Sequence, residues 1–326
     1  MYQRFYGLRE LPFELTPNPG YLFLTARQRE ALSNLQYGLF AAKALTLLVG
    51  EAGTGKTTLL RAALESERCR NVKCIYISNP ALTRHDFLRT IAARLDLGFA
   101  AEESKAVLLE QLEQVLRERR ERGEITALVV DEAQSLPNEL LEEIRLLGNI
   151  ETATEKLLPL VMAGQPELAV RLEEHSLRQL KQRVALRCEL TPFDLTDTAA
   201  YIGSRIKMAG GVPSRLFTRE AVTLIHEHSR GIARTISVIC DNALVSGMAV
   251  GRHPVDRALV LEVCRDFHLQ QENGAAAENS SDVDSEHAPL ELEPLELPLS
   301  STDTDAGQAA APTTRPRRFS LFRRAQ

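Results

Sequence analysis

One run of residues in this chain has the types and spacing needed to hold a nucleoside triphosphate. It is Gly50-Glu51-Ala52-Gly53-Thr54-Gly55-Lys56-Thr57, which fits the pattern GxxxxGK[ST] and follows the apolar stretch Leu45–Val49. Glycines in such a loop let several backbone N–H groups point at phosphate oxygens, and the following helix adds the positive end of its dipole. Lys56 can then reach the β- and γ-phosphates, and the Thr57 hydroxyl can be a ligand of Mg²⁺. The sequence therefore predicts that this run and Thr58 bind ATP or GTP.

A pair of acidic residues, Asp131-Glu132, supplies a second half for the same site. The pair follows the apolar stretch Ile125–Val130, so a strand would deliver Asp131 to the Mg²⁺ shell. Glu132 would then orient and activate the attacking water, which favours hydrolysis. The Asn-Lys-x-Asp pattern that reads guanine is absent from the sequence. ATP with Mg²⁺ is therefore the favoured ligand, rather than GTP.

Apolar stretches that alternate with helical patterns predict the scaffold for these residues. Strands are predicted over 45–49, 74–77, 125–130, 157–163 and 185–190. Helices are predicted over 27–39, 58–67, 87–97, 106–122, 138–147 and 167–184, and only helices follow, over 196–209, 218–228, 231–248 and 254–267. Strands that are apolar throughout belong to parallel sheets covered on both faces. The prediction is an α/β fold with a five-stranded parallel P-loop sheet, followed by a small all-α domain.

Composition and charge restrict the class of protein. The chain has 326 residues, a formal net charge of −5, 44% hydrophobic residues and no tryptophan. This charge disfavours a protein that coats nucleic acid, although it leaves room for a local basic patch. The five cysteines lack metal-ligand spacing, which indicates reduced, buried thiols and a cytoplasmic location. No signal peptide or membrane-spanning stretch is evident, so we expect membrane association only through a partner or the tail.

Residues 269–326 differ in composition from the rest of the chain. The part from 272 to 312 is rich in Glu, Asp, Ser, Ala and Pro, and it is followed by the basic patch Arg315–Arg324. Such a segment buries too little apolar area to offset its ordering entropy, so a disordered tail is predicted. Two interpretations stay open: a solvated tail without a target, or a docking segment for an acidic partner or the anionic surface of the inner membrane.

The order of the predicted elements resembles an AAA+ ATPase, and further motifs resemble the general secretion pathway protein A type within that superfamily. These motifs are Phe5–Phe13, Thr16–Pro19, Arg29–Leu32, Leu35–Gly38, Asp131–Gln134, Gly164–Leu168 and Leu180–Arg183. The resemblance covers about residues 1–268. It implies an N-terminal segment (1–40) that closes the adenine site, an AAA+ core (41–191), a helical lid (192–268) and the tail (269–326). Tyr37 and Gly38 would be local adenine contacts, with core packing as the other interpretation.

The resemblance also implies roles for three further side chains. Gln165 falls at the position of the polar sensor 1 residue, although Gly-Gln-Pro could also be a plain turn. Arg183 falls where an arginine finger reaches a neighbouring subunit's nucleotide, with Arg178 as the competitor, and this arrangement requires a homo-oligomer. Arg234 falls at the sensor 2 position, where it would touch the γ-phosphate in its own subunit. Ala233 replaces the usual proline there.

Three functional hypotheses follow from these features. The first is an ATP-hydrolysing AAA+ protein that assembles or remodels a cell-envelope system, with secretion, pilus and polysaccharide export as candidates. The second is a DNA-associated helper ATPase of the transposition type, using basic residues such as Arg178, Lys181, Arg230 and Arg234. The third is a nucleotide-dependent scaffold with very slow turnover, which an intact Glu132 disfavours.

Overall fold

The chain is seen in a computed structural model, which describes residues 1–15, 22–78, 82–98 and 104–267. At its centre lies a sheet of five strands: β1 (Leu45–Gly50), β2 (Val72–Ile77), β3 (Ile125–Val130), β4 (Leu160–Gly164) and β5 (Val184–Leu190). The strand order is β2-β3-β4-β1-β5, and every neighbouring pair is parallel. The predicted five-stranded parallel sheet is confirmed. The motif Thr16–Pro19 and the predicted tail, 269–326, lie outside the described residues.

Helices connect these strands and continue beyond them. In chain order they are α1 (Tyr2–Tyr6), α2 (Ala26–Phe40), α3 (Lys56–Leu64), α4 (Arg84–Arg94), α5 (Lys105–Glu121), α6 (Asn138–Leu147), α7 (Pro166–Arg171), α8 (Arg178–Lys181), α9 (Leu195–Met208), α10 (Pro213–Leu216), α11 (Arg219–Ser229), α12 (Ala233–Ala249) and α13 (Arg257–Asp266). Within the described ranges, no helix is long and apolar enough to cross a membrane.

The three central strands of the sheet, β1, β3 and β4, are buried at every position, whereas the edge strands β2 and β5 carry exposed residues such as Lys73 and Arg187. Successive side chains of a strand point to opposite faces. In β1, Leu47 and Val49 pack into a core with residues of α4, α5 and α6, whereas Leu48 packs into a second core with residues of α2 and α3. This two-sided cover fixes the carboxyl ends of the strands, where the predicted site residues lie.

Two sequence predictions about this part of the chain were wrong in their limits. The helix predicted over 167–184 is broken into α7, a 3-10 turn at His175–Leu177, and α8. Leu172 and Leu177 are both buried, yet five residues of regular helix would place them about 140° apart, so the break lets both face the core. The strand predicted from 157 begins only at Leu160, because Pro159 has no N–H to donate to a ladder.

Helices α9 to α13 form an all-helical lid that packs around a hydrophobic core of its own. The predicted all-α domain is therefore confirmed. Residues of the N-terminal segment complete this core: Tyr2, Tyr6, Leu8 and Phe13 are buried among the lid helices. The Tyr2 hydroxyl donates a hydrogen bond to Asp241, and the backbone N–H of Arg9 donates to the carbonyl of Ala209 at 2.8 Å. By contrast, α2 packs on the sheet.

The cysteines carry no disulfide, as the sequence predicted. Cys69, Cys188, Cys240 and Cys264 are buried, and Cys74 is half-buried. Burial raises the pKa of the Cys188 and Cys264 thiols to about 11. These thiols are therefore protonated at neutral pH and pack as small apolar side chains.

Candidate functional site

The loop between β1 and α3 has the backbone conformation that its glycines allow. Gly53 and Gly55 have φ values of 83° and 97°, in the region that residues with a Cβ rarely adopt. The loop is closed by Thr54, whose hydroxyl donates to the carbonyl of Glu51 at 2.8 Å. Because α3 begins at Lys56, the N–H groups of the loop and the first turn stand at the positive end of a helix dipole. This is the geometry of an anion-binding cradle.

Lys56 is the buried cation of this cradle. Its ammonium donates to the carbonyl oxygens of Gly50 at 2.8 Å and Glu51 at 3.0 Å, so the side chain folds back over its own loop. Burial lowers the pKa of Lys56, while the charges of Glu132 and Asp131 raise it. The contact of Lys56 with phosphate oxygens stays a prediction.

The carboxylate of Asp131, directly after β3, accepts hydrogen bonds from two hydroxyl groups. Thr57 donates to its Oδ2 at 2.6 Å, and Tyr76 donates to the same oxygen at 2.7 Å. The backbone N–H of Glu132 donates to Oδ1 at 3.0 Å. The hydroxyl of Thr57 and the carboxylate of Asp131 are hard oxygen donors of the kind that Mg²⁺ prefers. Their contact across the cleft fits a Mg²⁺ site, and these two residues would hold the ion.

Tyr76 was missed by the sequence analysis. It lies on β2 opposite Val129 of β3, one residue before each strand ends. That register brings its hydroxyl to the carboxylate of Asp131. The signal was a tyrosine near the end of a strand predicted to be buried, where a hydroxyl needs a partner.

Glu132 follows Asp131 with a φ of 54°, a left-handed conformation that is uncommon for a residue with a side chain. Its carboxylate Oε2 accepts a hydrogen bond from Nε2 of Gln134 at 2.7 Å. Gln165, at the end of β4, does not contact Glu132 directly; its backbone N–H donates to Oε1 of Gln134 at 3.0 Å. The structure thus links the two predicted residues through Gln134. The catalytic roles of Glu132 and Gln165 stay predictions.

The lid meets the loop at Arg234. Its backbone N–H donates to the carbonyl of Gly53 at 3.1 Å, and a Cβ on Gly53 would lie 2.9 Å from Cβ of Arg234. The exposed side chain of Arg234 lines an open cleft of about 880 Å³ together with Lys56, Thr57 and Glu132. Since α12 begins at Ala233, the missing proline has not moved this arginine away from the loop. Its contact with a phosphate stays a prediction.

A smaller cleft of about 480 Å³ lies beside the loop, on the side of Thr54 and Thr58. Three aromatic rings line it: Phe23 lies 5.8 Å from both Phe193 and Tyr201, which are themselves 5.4 Å apart. Flat, apolar walls of this kind suit a nucleotide base. Phe23 belongs to the segment 1–40, but closure over adenine stays a prediction.

Tyr37 and Gly38, for which the resemblance implied adenine contacts, do not line the smaller cleft. Gln28 lines the smaller cleft, and Tyr37 lies nine residues further along α2, about 14 Å away at 1.5 Å per residue. A Cβ on Gly38 would lie 2.1 Å from Oγ1 of Thr46, so Gly38 allows α2 to approach β1. Tyr37 is exposed, and its ring lies 5.6 Å from that of Phe40 on the same helix.

The two candidate arginine fingers have different surroundings. Arg183 is half-buried; its guanidinium donates to the carbonyl of Arg145 at 2.7 Å and to Oδ1 of Asn149. Burial and the nearby charge of Arg145 lower the pKa of Arg183. Arg178 is exposed, and its side chain forms no hydrogen bond with the described residues. The finger in trans stays a prediction for either residue.

The fold and this site define an AAA+ protein. Residues 41–172 match the family model described as "AAA domain". The crystal structure of Cdc6p from Pyrobaculum aerophilum superposes with a TM-score of 0.59 over 78% of this chain and 70% of that chain, at 19% identity, which shows the shared fold. The described core therefore has the AAA+ P-loop fold, and residues 41–172 carry an AAA domain.

Within that class, the resemblance to general secretion pathway protein A is confirmed. The protein of that name from Aeromonas hydrophila is 40% identical over 255 residues, which are 78% of this chain and 46% of the relative. The Mu-like prophage FluMu DNA transposition protein B of Haemophilus influenzae is 28% identical over 181 residues, which are 54% of this chain and 58% of that protein. The chain thus spans about half the length of these curated relatives.

Proposed function

We propose that this protein binds ATP in the cleft between the loop and the lid and hydrolyses it with Mg²⁺. The observation that carries the proposal is the contact between Thr57 and Asp131, with Lys56 and Glu132 lining the same cleft. These residues lie far apart in sequence, and parallel strands bring them to one edge of the sheet. Mg²⁺ held by Thr57 and Asp131 would neutralise charge on the β- and γ-phosphates.

The chain's own residues supply the other requirements of phosphoryl transfer. Backbone N–H groups at the start of α3 bind phosphate oxygens, and Lys56 turns from its own loop carbonyls to the β- and γ-phosphates. Glu132 accepts a proton from the attacking water and orients it. Arg234 offers positive charge from the lid, so phosphate binding and lid position are coupled. Phe23, Phe193 and Tyr201 enclose the base.

The substitution Glu132→Gln separates binding from hydrolysis. It removes the negative charge that activates water but keeps the size of the side chain, so we expect unchanged ATP affinity and loss of turnover. ATP binding is measured by calorimetry, and phosphate release by a coupled assay. The matched control is Glu139→Gln, at an exposed position in the first turn of α6. Equal loss of binding and turnover would contradict the role of Glu132. ATP binding without turnover in the unmodified chain would favour the slow scaffold.

The proposal extends to a subunit-shared site in a cell-envelope system. Its support is the 40% identity to a protein named for a secretion pathway, together with an exposed Arg178 and a half-buried Arg183 on the element before β5. A homo-oligomer at the cytoplasmic side of the inner membrane fits this function. Turnover per subunit should rise with protein concentration in step with light scattering. A rate per subunit that does not change with concentration would contradict shared sites.

A second candidate is a DNA-associated helper ATPase, which the 28% identity to a DNA transposition protein favours. The predicted basic residues bear on it: Lys181 forms an ion pair with Glu173, whereas Arg178 is exposed. DNA binding through such residues should weaken steeply with salt. Fluorescence anisotropy with a labelled duplex at two salt concentrations tests this; salt-sensitive binding that ATP strengthens would favour the DNA function over the envelope function.

A further inference from the structure

The side chain of Gln134 bridges two predicted site residues that do not contact each other. Its Nε2 donates to Oε2 of Glu132 at 2.7 Å, and its Oε1 accepts the backbone N–H of Gln165 at 3.0 Å. The orientation of the amide follows from chemistry, since a backbone N–H can only donate and an ionised carboxylate can only accept. Each end of the amide therefore has one suitable partner.

The surrounding structure holds Gln134 firmly. It lies in the 3-10 turn Ala133–Ser135, and Nη1 of Arg171 donates to the carbonyls of both Gln134 and Leu136 at 2.7 Å. The amide lies close to the end of β4, where a Cβ on Gly164 would lie 2.9 Å from Oε1 of Gln134 and 2.7 Å from Cδ2 of Leu168. The bridge is thus part of a packed turn rather than a chance contact of two surface side chains.

We infer that Gln134 is a positioning residue that aims the carboxylate of Glu132 and ties it to the end of β4. The inference rests on the proposed ATPase function. A hydrogen bond to one carboxylate oxygen, Oε2, leaves Oε1 to accept a proton from water. Hydrogen bonds to charged groups are about twice as strong as neutral ones, so this one restricts a side chain with three rotatable bonds. Gln134 itself does not line the cleft, so its effect reaches ATP only through Glu132.

Two substitutions at Gln134 test this arrangement. Gln134→Met keeps the volume and removes both hydrogen bonds. Gln134→Glu keeps an acceptor for the N–H of Gln165 but sets a second carboxylate against Glu132. We expect kcat to fall about tenfold to a hundredfold in both, the range for loss of a hydrogen bond to a charged group, while KM for ATP stays within about twofold.

The control has the same chemical change on the surface. Gln114 donates to Oε1 of Glu118 at 3.0 Å on the exposed side of α5, so Gln114→Glu also sets two carboxylates together, away from the cleft. We expect its kcat to equal that of the unmodified chain. Thermal melting of every variant detects unfolding. An unchanged kcat in folded Gln134→Met, or a rise in KM alone, would overturn the inference.

A spectroscopic measurement tests the bridge independently of turnover. The side-chain amide signal of Gln134, assigned in ¹⁵N-glutamine-labelled full-length chain through its loss in Gln134→Met, should shift when Glu132 is replaced in Glu132→Ala. An unmoved signal would refute the hydrogen bond even if hydrolysis occurs. If the unmodified chain shows no turnover while the signal shifts, the bridge stands and the ATPase proposal fails.

Discussion

Replacement of Gly231 by alanine should loosen the junction between the lid and the core. Gly231 follows α11 with a φ of 73°, and its carbonyl accepts the backbone N–H of Phe193 at 2.9 Å. A Cβ at this position would lie 2.0 Å from the carbonyl oxygen of Phe193. Phe193 lies between β5 and the first lid helix, α9, and its ring lines the smaller cleft.

The cost has two parts. The left-handed conformation costs an alanine about 1–2 kcal/mol. Real Cβ atoms essentially never approach other atoms closer than 3.0 Å, so the Phe193 carbonyl must move by at least 3.0 − 2.0 = 1.0 Å, which is overpacking worth roughly 1–3 kcal/mol. The sum is about 2–5 kcal/mol, or a fall in Tm of about 4–10 °C at about 2 °C per kcal/mol.

Gly7 provides a matched control for the backbone strain alone. Its φ is 67°, but nothing lies within 4 Å of a Cβ built there. Gly7→Ala should therefore lower Tm by only about 2–4 °C. Calorimetry of the full chain compares the two variants, and ATP affinity should fall only in Gly231→Ala because Phe193 moves. If both variants melted together and bound ATP alike, the close packing of Gly231 on Phe193 would be refuted.

Two further predictions concern the phosphate side of the cleft. Tyr76→Phe removes the hydroxyl that donates to Asp131, so the Mg²⁺ concentration for half-maximal ATPase activity should rise about tenfold to a hundredfold; an unchanged Mg²⁺ titration, with Tyr37→Phe as the control, would contradict this. Arg183→Ala should lose hydrolysis and regain part of it when mixed with Glu132→Gln subunits. Two results together would show that Arg178 is the finger instead. Arg178→Ala would lose turnover without a change in Tm, and Arg183→Ala would keep turnover but lose the stability that its hydrogen bonds to Arg145 and Asn149 provide.

Much of the fold was predictable because its signals are local. The apolar strand Ile125–Val130 and the helix Asn138–Leu147 were predicted with the limits that the structure shows. The backbone conformation of the loop before Lys56 was also predictable, because glycine is the residue that readily adopts a positive φ. The region 167–184 was less predictable. The spacing of its leucines fits one continuous helix, and only the packing of the folded core shows that the helix must break for these leucines to be buried.

The site was predictable where one motif carried it and hidden where it depends on register. Thr57, Asp131 and Glu132 could be paired from the motifs alone. The hydroxyl of Tyr76 reaches Asp131 only because β2 and β3 are neighbours in a given alignment. In the sequence, Gln134 is an ordinary polar residue. Its bridging role depends on the end of β4, which lies beside it only in the folded chain. The predicted contact of Tyr37 with adenine depends on where the base lies, since nine residues of α2, about 14 Å, separate Tyr37 from the cleft residue Gln28.

The way in which the N-terminal segment completes the lid has a consequence for the order of folding. Tyr2 and its partner Asp241 are 239 positions apart in the chain. At about 5–20 residues per second, a ribosome needs roughly 10–50 s to make the segment between them. During that time the apolar side chains of Tyr2, Tyr6 and Phe13 have no lid to pack against, while the sheet can already form. The cleft between the loop and the lid can therefore be completed only after the lid helices that hold the N-terminal segment have been synthesised.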